Sequence, residues 1–167
     1  MILSGTWKLV EEDVMKWGIV KLAAVVGLVV SSPVGAEERG TPDDAVVLVK
    51  RTSDMLKAKP AAEVYAAINA RGADFMIKDV YVFAQDAKGL VLAHTVNPKL
   101  VGTDASENSD VNGKEYVKER IQIAKTQKEF WHEYMFSSPV TKKLEMRSVY
   151  CHVQPDTSIV CASAAKP

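Results

Sequence analysis

The chain has 167 residues, 47% hydrophobic and 25% charged, which suits one globular domain with an ordinary core and leaves too little for two. Lysine plus arginine equals aspartate plus glutamate at 21 each. No net field therefore draws the protein to nucleic acid or to an anionic membrane surface.

From Met15 the sequence runs "MKWGIVKLAAVVGLVVSSPVGAEE". Lys16 and Lys21 precede an apolar run from Leu22 to Val30, and small residues end at Ala36. Residues 1–36 read as a Sec-type signal peptide cleaved after Ala36. The apolar run is shorter than the roughly 20 residues a span requires, and no cysteine follows to carry a lipid. The mature chain is expected to be a soluble periplasmic or secreted protein with no membrane span. Glu11, Glu12 and Asp13 are wrong for a signal n-region, which favours Met15 as the translation start.

Beyond the signal, Thr41 is placed to cap a helix, with Pro42 at its first position and Asp43 and Asp44 in the first turn. Val46, Val49, Met55 and Leu56 fall roughly at helical spacing, so one helix is expected to about Lys57. A second, shorter helix fits the stretch from Pro60 towards Gly72. The period then changes. Val80 to Asp86 and Leu90 to His94 alternate as two strands about the turn Ala87-Lys88-Gly89. "DASENSDVNGK" reads as an exposed loop, and Glu115 to Lys128 returns to helical spacing with Tyr116, Ile121 and Ala124 inward. Phe130 to Phe136, Leu144 to Val153 and Ile159 to Ser163 supply three more strands. Helices followed by five strands, with one helix between the second and third, imply an α+β domain with a single antiparallel sheet.

Cys151 and Cys161 are the only cysteines, and they lie equally far from Asp156 in "YCHVQPDTSIVCAS". A hairpin about Pro155-Asp156-Thr157 sets them opposite one another, and in an oxidising compartment they are expected to form a disulfide. Catalytic signatures are missing. There is no CxxC, GxSxG, HExxH or P-loop, and serine, histidine and aspartate lack diagnostic spacing. His94, His132 and His152 fall on separate segments without short-range ligand spacing, so neither a metal site nor another cofactor is expected.

The stretch "DVYVFAQDAKGLVLAHTVNPKLVG", then "NGKEYVKERIQIAK", then "FWHEYMFSSPVTKKLEMRSVY" resembles the single Cache domain, the extracytoplasmic sensor module of many bacterial chemoreceptors and histidine kinases. The resemblance covers residues 41–163, almost all of the mature chain. It implies a PAS-like fold in which a long N-terminal helix packs on a five-stranded antiparallel sheet. The opposite sheet face then carries a small pocket, which in relatives binds short organic acids. The usual family sensor hangs between two membrane spans, whereas this chain stops four residues after Ser163. The expectation is an exported, non-enzymatic, ligand-binding protein that passes its state to a separate membrane receptor or kinase. A structural or protein-interaction module without a ligand is the alternative.

Within that resemblance His94 and Arg147 become the expected anchors of a small carboxylate. A neutral imidazole donates one hydrogen bond, and a guanidinium offers a planar fork. For His94 a loop-pinning hydrogen bond is the competing reading. Tyr134 or Tyr150 is expected to add a hydroxyl, with Trp131 and Tyr81 as walls. Trp131 and Tyr134 lie three apart on one strand and so face opposite sides, as do Arg147 and Tyr150. One member of each pair is therefore the expected pocket residue.

Overall fold

The computed structural model describes residues 39–166. The expected signal peptide, its cleavage site and the alternative start at Met15 lie outside these residues. Helix α1 (Pro42–Ala58) begins as its sequence requires. Thr41 Oγ1 accepts from the Asp44 backbone N–H at 3.2 Å, and the Asp44 carboxylate accepts from the Thr41 N–H at 2.7 Å. This reciprocal box satisfies two amides that the helix itself cannot. Helix α2 (Ala61–Asn69) follows directly.

A two-residue strand, β1 (Met76–Ile77), leads into β2 (Val80–Gln85) and β3 (Val91–His94). Helix α3 (Tyr116–Ala124) then precedes β4 (Glu129–Ser137), β5 (Leu144–Val153) and β6 (Ile159–Ala165). All pairings are antiparallel in the order β1-β2-β6-β5-β4, and β3 lies on the same edge of β2 as β1. The strand beyond the expected five is the short β1. Helix α3 is shorter than the expected Glu115 to Lys128, because the chain turns at Lys125 and Thr126.

Alternation along the strands gives the sheet two buried faces. Val80, Val82, Ala84, Val160, Ala162 and Ala164 pack against Ala45, Leu48 and Val49 of α1 and Val64 and Ile68 of α2. Tyr81, Phe83, Tyr134, Val149, Cys151 and Cys161 face the other way and meet Tyr116 and Val117 of α3. Period-two alternation with both sides covered explains why every residue of β2 is buried.

The turn between β2 and β3 holds Asp86 Oδ1 against the amides of Lys88 and Leu90, and Gly89 takes φ +100°. A side chain there would also press within 3.0 Å of Ser106. That close approach matters because the following loop is more than an exposed connection. It runs back along the hairpin through Val91 N–H to Thr103 O, Gly102 N–H to Val91 O and Ala105 N–H to Gly89 O. Asp110 ties its far end to β4 by accepting from the Met135 amide.

Cys151 and Cys161 are register partners across β5 and β6 and form the disulfide. Closing a loop with a sequence separation of 10 removes unfolded-state freedom worth about 3 kcal/mol in the chain-entropy model. Chemical denaturation with and without a thiol reductant is expected to show a loss of that size. An unchanged midpoint after verified reduction would contradict it.

Candidate functional site

A small cavity of about 60 Å³ lies between the α3 face of the sheet, helix α3 and the returning loop. Tyr81, Phe83 and Gln85 reach it from β2, His94 from β3, Tyr134 and Phe136 from β4, and Tyr116, Val117 and Arg120 from α3. Leu100, Ala105 and Asn108 close it from the loop. The polar stretch expected to be simply exposed thus supplies one wall, and Ala105 is buried.

Arg120 is the dominant group, and its own sequence position explains its burial. It follows Tyr116 by four residues, on the same helix face as Tyr116 and Val117, and is 2% exposed. Its Nε–H donates to His132 Nε2 at 3.0 Å, one Nη donates to Gln85 Oε1, and the other reaches the Tyr134 hydroxyl at 3.5 Å. The guanidinium carbon lies 4.9 Å from the centroid of the Phe83 ring, with Tyr116 and Tyr134 at 5.8 and 5.7 Å. Every partner is neutral. Among the described residues no carboxylate pairs with Arg120. A guanidinium has five N–H donors and three are engaged here, so two remain for something else. Burial presses its pKa below the usual arginine range, although arginine stays charged in proteins. Gln85 adds a further donor: its Nε2 is buried without a partner among the described residues.

His94 lines the same cavity. Its Nδ1 accepts from the Asn97 amide at 3.1 Å, which leaves the proton on Nε2. The loop-pinning role and the cavity position therefore coexist in one ring. Burial lowers its pKa to about 4, so the imidazole is neutral near pH 7. Tyr81 and Phe83 flank it at ring-centroid distances of 5.3 and 5.9 Å.

The other expected site residues lie elsewhere. Arg147 is fully buried, yet it is not in the cavity. Its guanidinium is neutralised by Glu145 at 2.7 Å and Asp79 at 3.4 Å, and it donates to Ser163 Oγ at 3.0 Å. Asp79 in turn accepts from the Gly40 amide, which fixes the start of α1 against the sheet. Arg147 is an internal tie, with its charge already satisfied. Tyr150 and Trp131 are register partners on the α1 face of the sheet, so neither can reach the cavity. Tyr150 donates to Glu129 at 2.6 Å, and Trp131 is 41% exposed. The structure brings His94, Tyr134 and Tyr81 together and supplies Arg120 and Gln85, which the motif reading did not name. A cation at the i+4 position of an otherwise buried helix face was the available signal for Arg120.

His132 stands behind Arg120, and His152 sits on the α1 face against Ser53 at 2.9 Å, so the three histidines do not meet. Among the described residues no three of His, Cys, Asp and Glu are grouped to hold a metal ion, and no helix is long and apolar enough to cross a membrane.

Comparison with solved structures places this fold. A Cache chemosensory domain that recognises a carboxylic acid superposes with a TM-score of 0.64 at 18% identity, over 75% of this chain and 92% of that one. The periplasmic sensor domain of a chemotaxis protein gives 0.58 at 22% identity, over 75% and 90%. A methyl-accepting chemotaxis protein from Vibrio parahaemolyticus gives 0.53 at 16%, over 68% and 72%. No curated protein matches in sequence. At these identities the likeness speaks for the fold. The family model of the Cache domain, in contrast, matches the sequence itself over residues 49–164, and the chain belongs to that family of sensor and ligand-binding domains.

Proposed function

We propose that this domain binds a short monocarboxylate such as acetate, propionate, lactate or pyruvate in the cavity beneath α3. One observation carries the reading: a buried guanidinium with two unused N–H groups faces the cavity and has no carboxylate partner among the described residues. Burying a charge in that state is costly, and an incoming carboxylate supplies the missing counter-ion. Arg120 is the anchor, with Gln85 Nε2 and the N–H of neutral His94 as further donors and the hydroxyl of Tyr134 beside them. Arg147, Tyr150 and Trp131 have no part in this site.

The cavity also limits what fits. A water occupies about 10–15 Å³ of such space, so 60 Å³ suits about four to six heavy atoms. Among the described residues that line it there is no carboxylate to receive an ammonium group, which disfavours amino acids and amines. The protein acts as an exported binding component without catalysis of its own. A Sec signal delivers it to the periplasm or exterior, and a separate membrane receptor or kinase reads its bound state.

Melting temperature measured across short acids, amino acids, amines and divalent metals tests the ligand class, since a ligand of the folded state raises it by mass action. Shifts with the short acids alone are expected. A shift with amines or zinc alone, or none with any compound, overturns the assignment, and the last result favours an accessory module without a ligand. A periplasmic pull-down with and without the best acid tests for the reader protein.

A further inference from the structure

We infer that His132 is the positioning residue that makes Arg120 an anion receptor: its neutral imidazole fixes the guanidinium from behind while leaving the positive charge uncancelled. The inference rests on the carboxylate reading above and explains how that site is kept ready.

His132 lies on β4 two residues before Tyr134, on the same face, and is 5% exposed. Because Nε2 accepts from Arg120, the ring proton is on Nδ1, and that atom is buried with no partner among the described residues. A buried unpaired donor is a standing cost. A carboxylate at this position would avoid that cost and stabilise the buried arginine, but it would also occupy the charge that a ligand must use. The neighbouring carboxylates are diverted in the same sense. Glu119 on α3 pairs with Lys114 at 2.8 Å, and Glu133 on β4 pairs with Lys166 at 2.7 Å. Gln85 and Tyr134 complete a set of acceptors that orient without neutralising.

The acceptor role also requires that the ring stay unprotonated, since imidazolium has only donors. Burial, followed by the charges of Arg120 and Lys114, lowers its pKa to about 2. The receptor is therefore set at any physiological pH.

Two near-isosteric substitutions separate charge from shape. His132→Gln retains a neutral acceptor near the Nε2 position, and His132→Glu places a carboxylate there. With acetate, propionate, lactate and pyruvate titrated calorimetrically, His132→Gln is expected to stay within about threefold of the wild-type affinity. His132→Glu is expected to lose about a hundredfold or more, the weight of a buried charge pair already spent internally. The unliganded His132→Glu protein is expected to melt above His132→Gln, the opposite of what a packing role predicts. Equal binding by the two variants, or a lower melting temperature for Glu than for Gln, overturns the inference. Nitrogen NMR of the wild type gives a check that needs no variant to fold. The Nδ1–H tautomer between pH 5 and 8 is expected, and an Nε2–H or doubly protonated ring overturns the inference. A wild type that binds no acid would sink the carboxylate reading itself, while the tautomer and the two melting temperatures would still decide the role of His132.

Discussion

Arg120→Met is expected to abolish carboxylate binding while the protein still folds, and Arg147→Met is expected to lose stability while its folded fraction still binds. Both side chains are buried arginines, and their difference lies in what already pairs with them. Arg147 has Asp79 and Glu145 within 4 Å. Removing it strands the buried Asp79, while Glu145 keeps its pair with Arg39 at 2.8 Å, and breaking a buried pair in this way typically costs about 3–5 kcal/mol of stability. Among the described residues the hydrogen-bond partners of Arg120 are His132, Gln85 and Tyr134, all neutral. Its removal relieves an uncompensated charge and orphans those acceptors, so the two contributions to stability oppose one another. Binding has no such offset, because truncating one member of a buried charge pair typically costs about 2–5 kcal/mol, or roughly 30-fold to several thousandfold in affinity. Urea denaturation and calorimetry on both variants check this. Retained binding in Arg120→Met, or normal stability with lost binding in Arg147→Met, would return the anchor to Arg147.

The contrast between the two arginines also shows how far the sequence alone can be read. Local signals were strong where a single element decides the outcome. The Thr41-Pro42-Asp44 start of α1 and the mirrored cysteines are fixed by short-range geometry. The placement of Trp131 and Tyr134, and of Arg147 and Tyr150, on opposite faces likewise follows from the two-residue period of a strand. What the sequence could not reveal was which charges cancel. Asp79 meets Arg147 across 68 residues, and such a partnership depends on the order β1-β2-β6-β5-β4 rather than on any motif. Without that topology Arg147 looks free, and Arg120, in the run "KERIQIAK", looks like one solvated charge among several. The loop presents the same difficulty. Its polar composition signals exposure, yet its backbone bonds to Val91 and Gly89 fold Leu100, Ala105 and Asn108 over the cavity.

Acidification is expected to destabilise the protein from about pH 6.5 downward, well before its carboxylates titrate. His94 and His132 both have folded-state pKa values below the ordinary 6.5, at about 4 and about 2, with burial as the main cause in each. Arg120 and Lys114 add to the shift at His132, whereas no charged group contributes to the one resolved at His94. Between the folded and unfolded values the unfolded chain binds more protons than the folded one, so stability rises with pH across that window. The contribution is complete above about 6.5 and is lost as pH falls, until about 4 for His94 and lower still for His132. Each group supplies up to about 1.4 kcal/mol per pH unit, so the pair costs about 4 kcal/mol between pH 7 and pH 5. Asp110, whose pKa is held down chiefly by the Met135 amide, adds to the loss only in the more acidic range where carboxylates titrate. Urea midpoints at pH 7, 6 and 5 measure the slope directly. His132→Gln is expected to remove about half of it, because one of the two titrating groups is gone. A midpoint that does not move between pH 7 and pH 5 in the wild type would mean that these rings are solvated, and with them the cavity that Arg120 occupies.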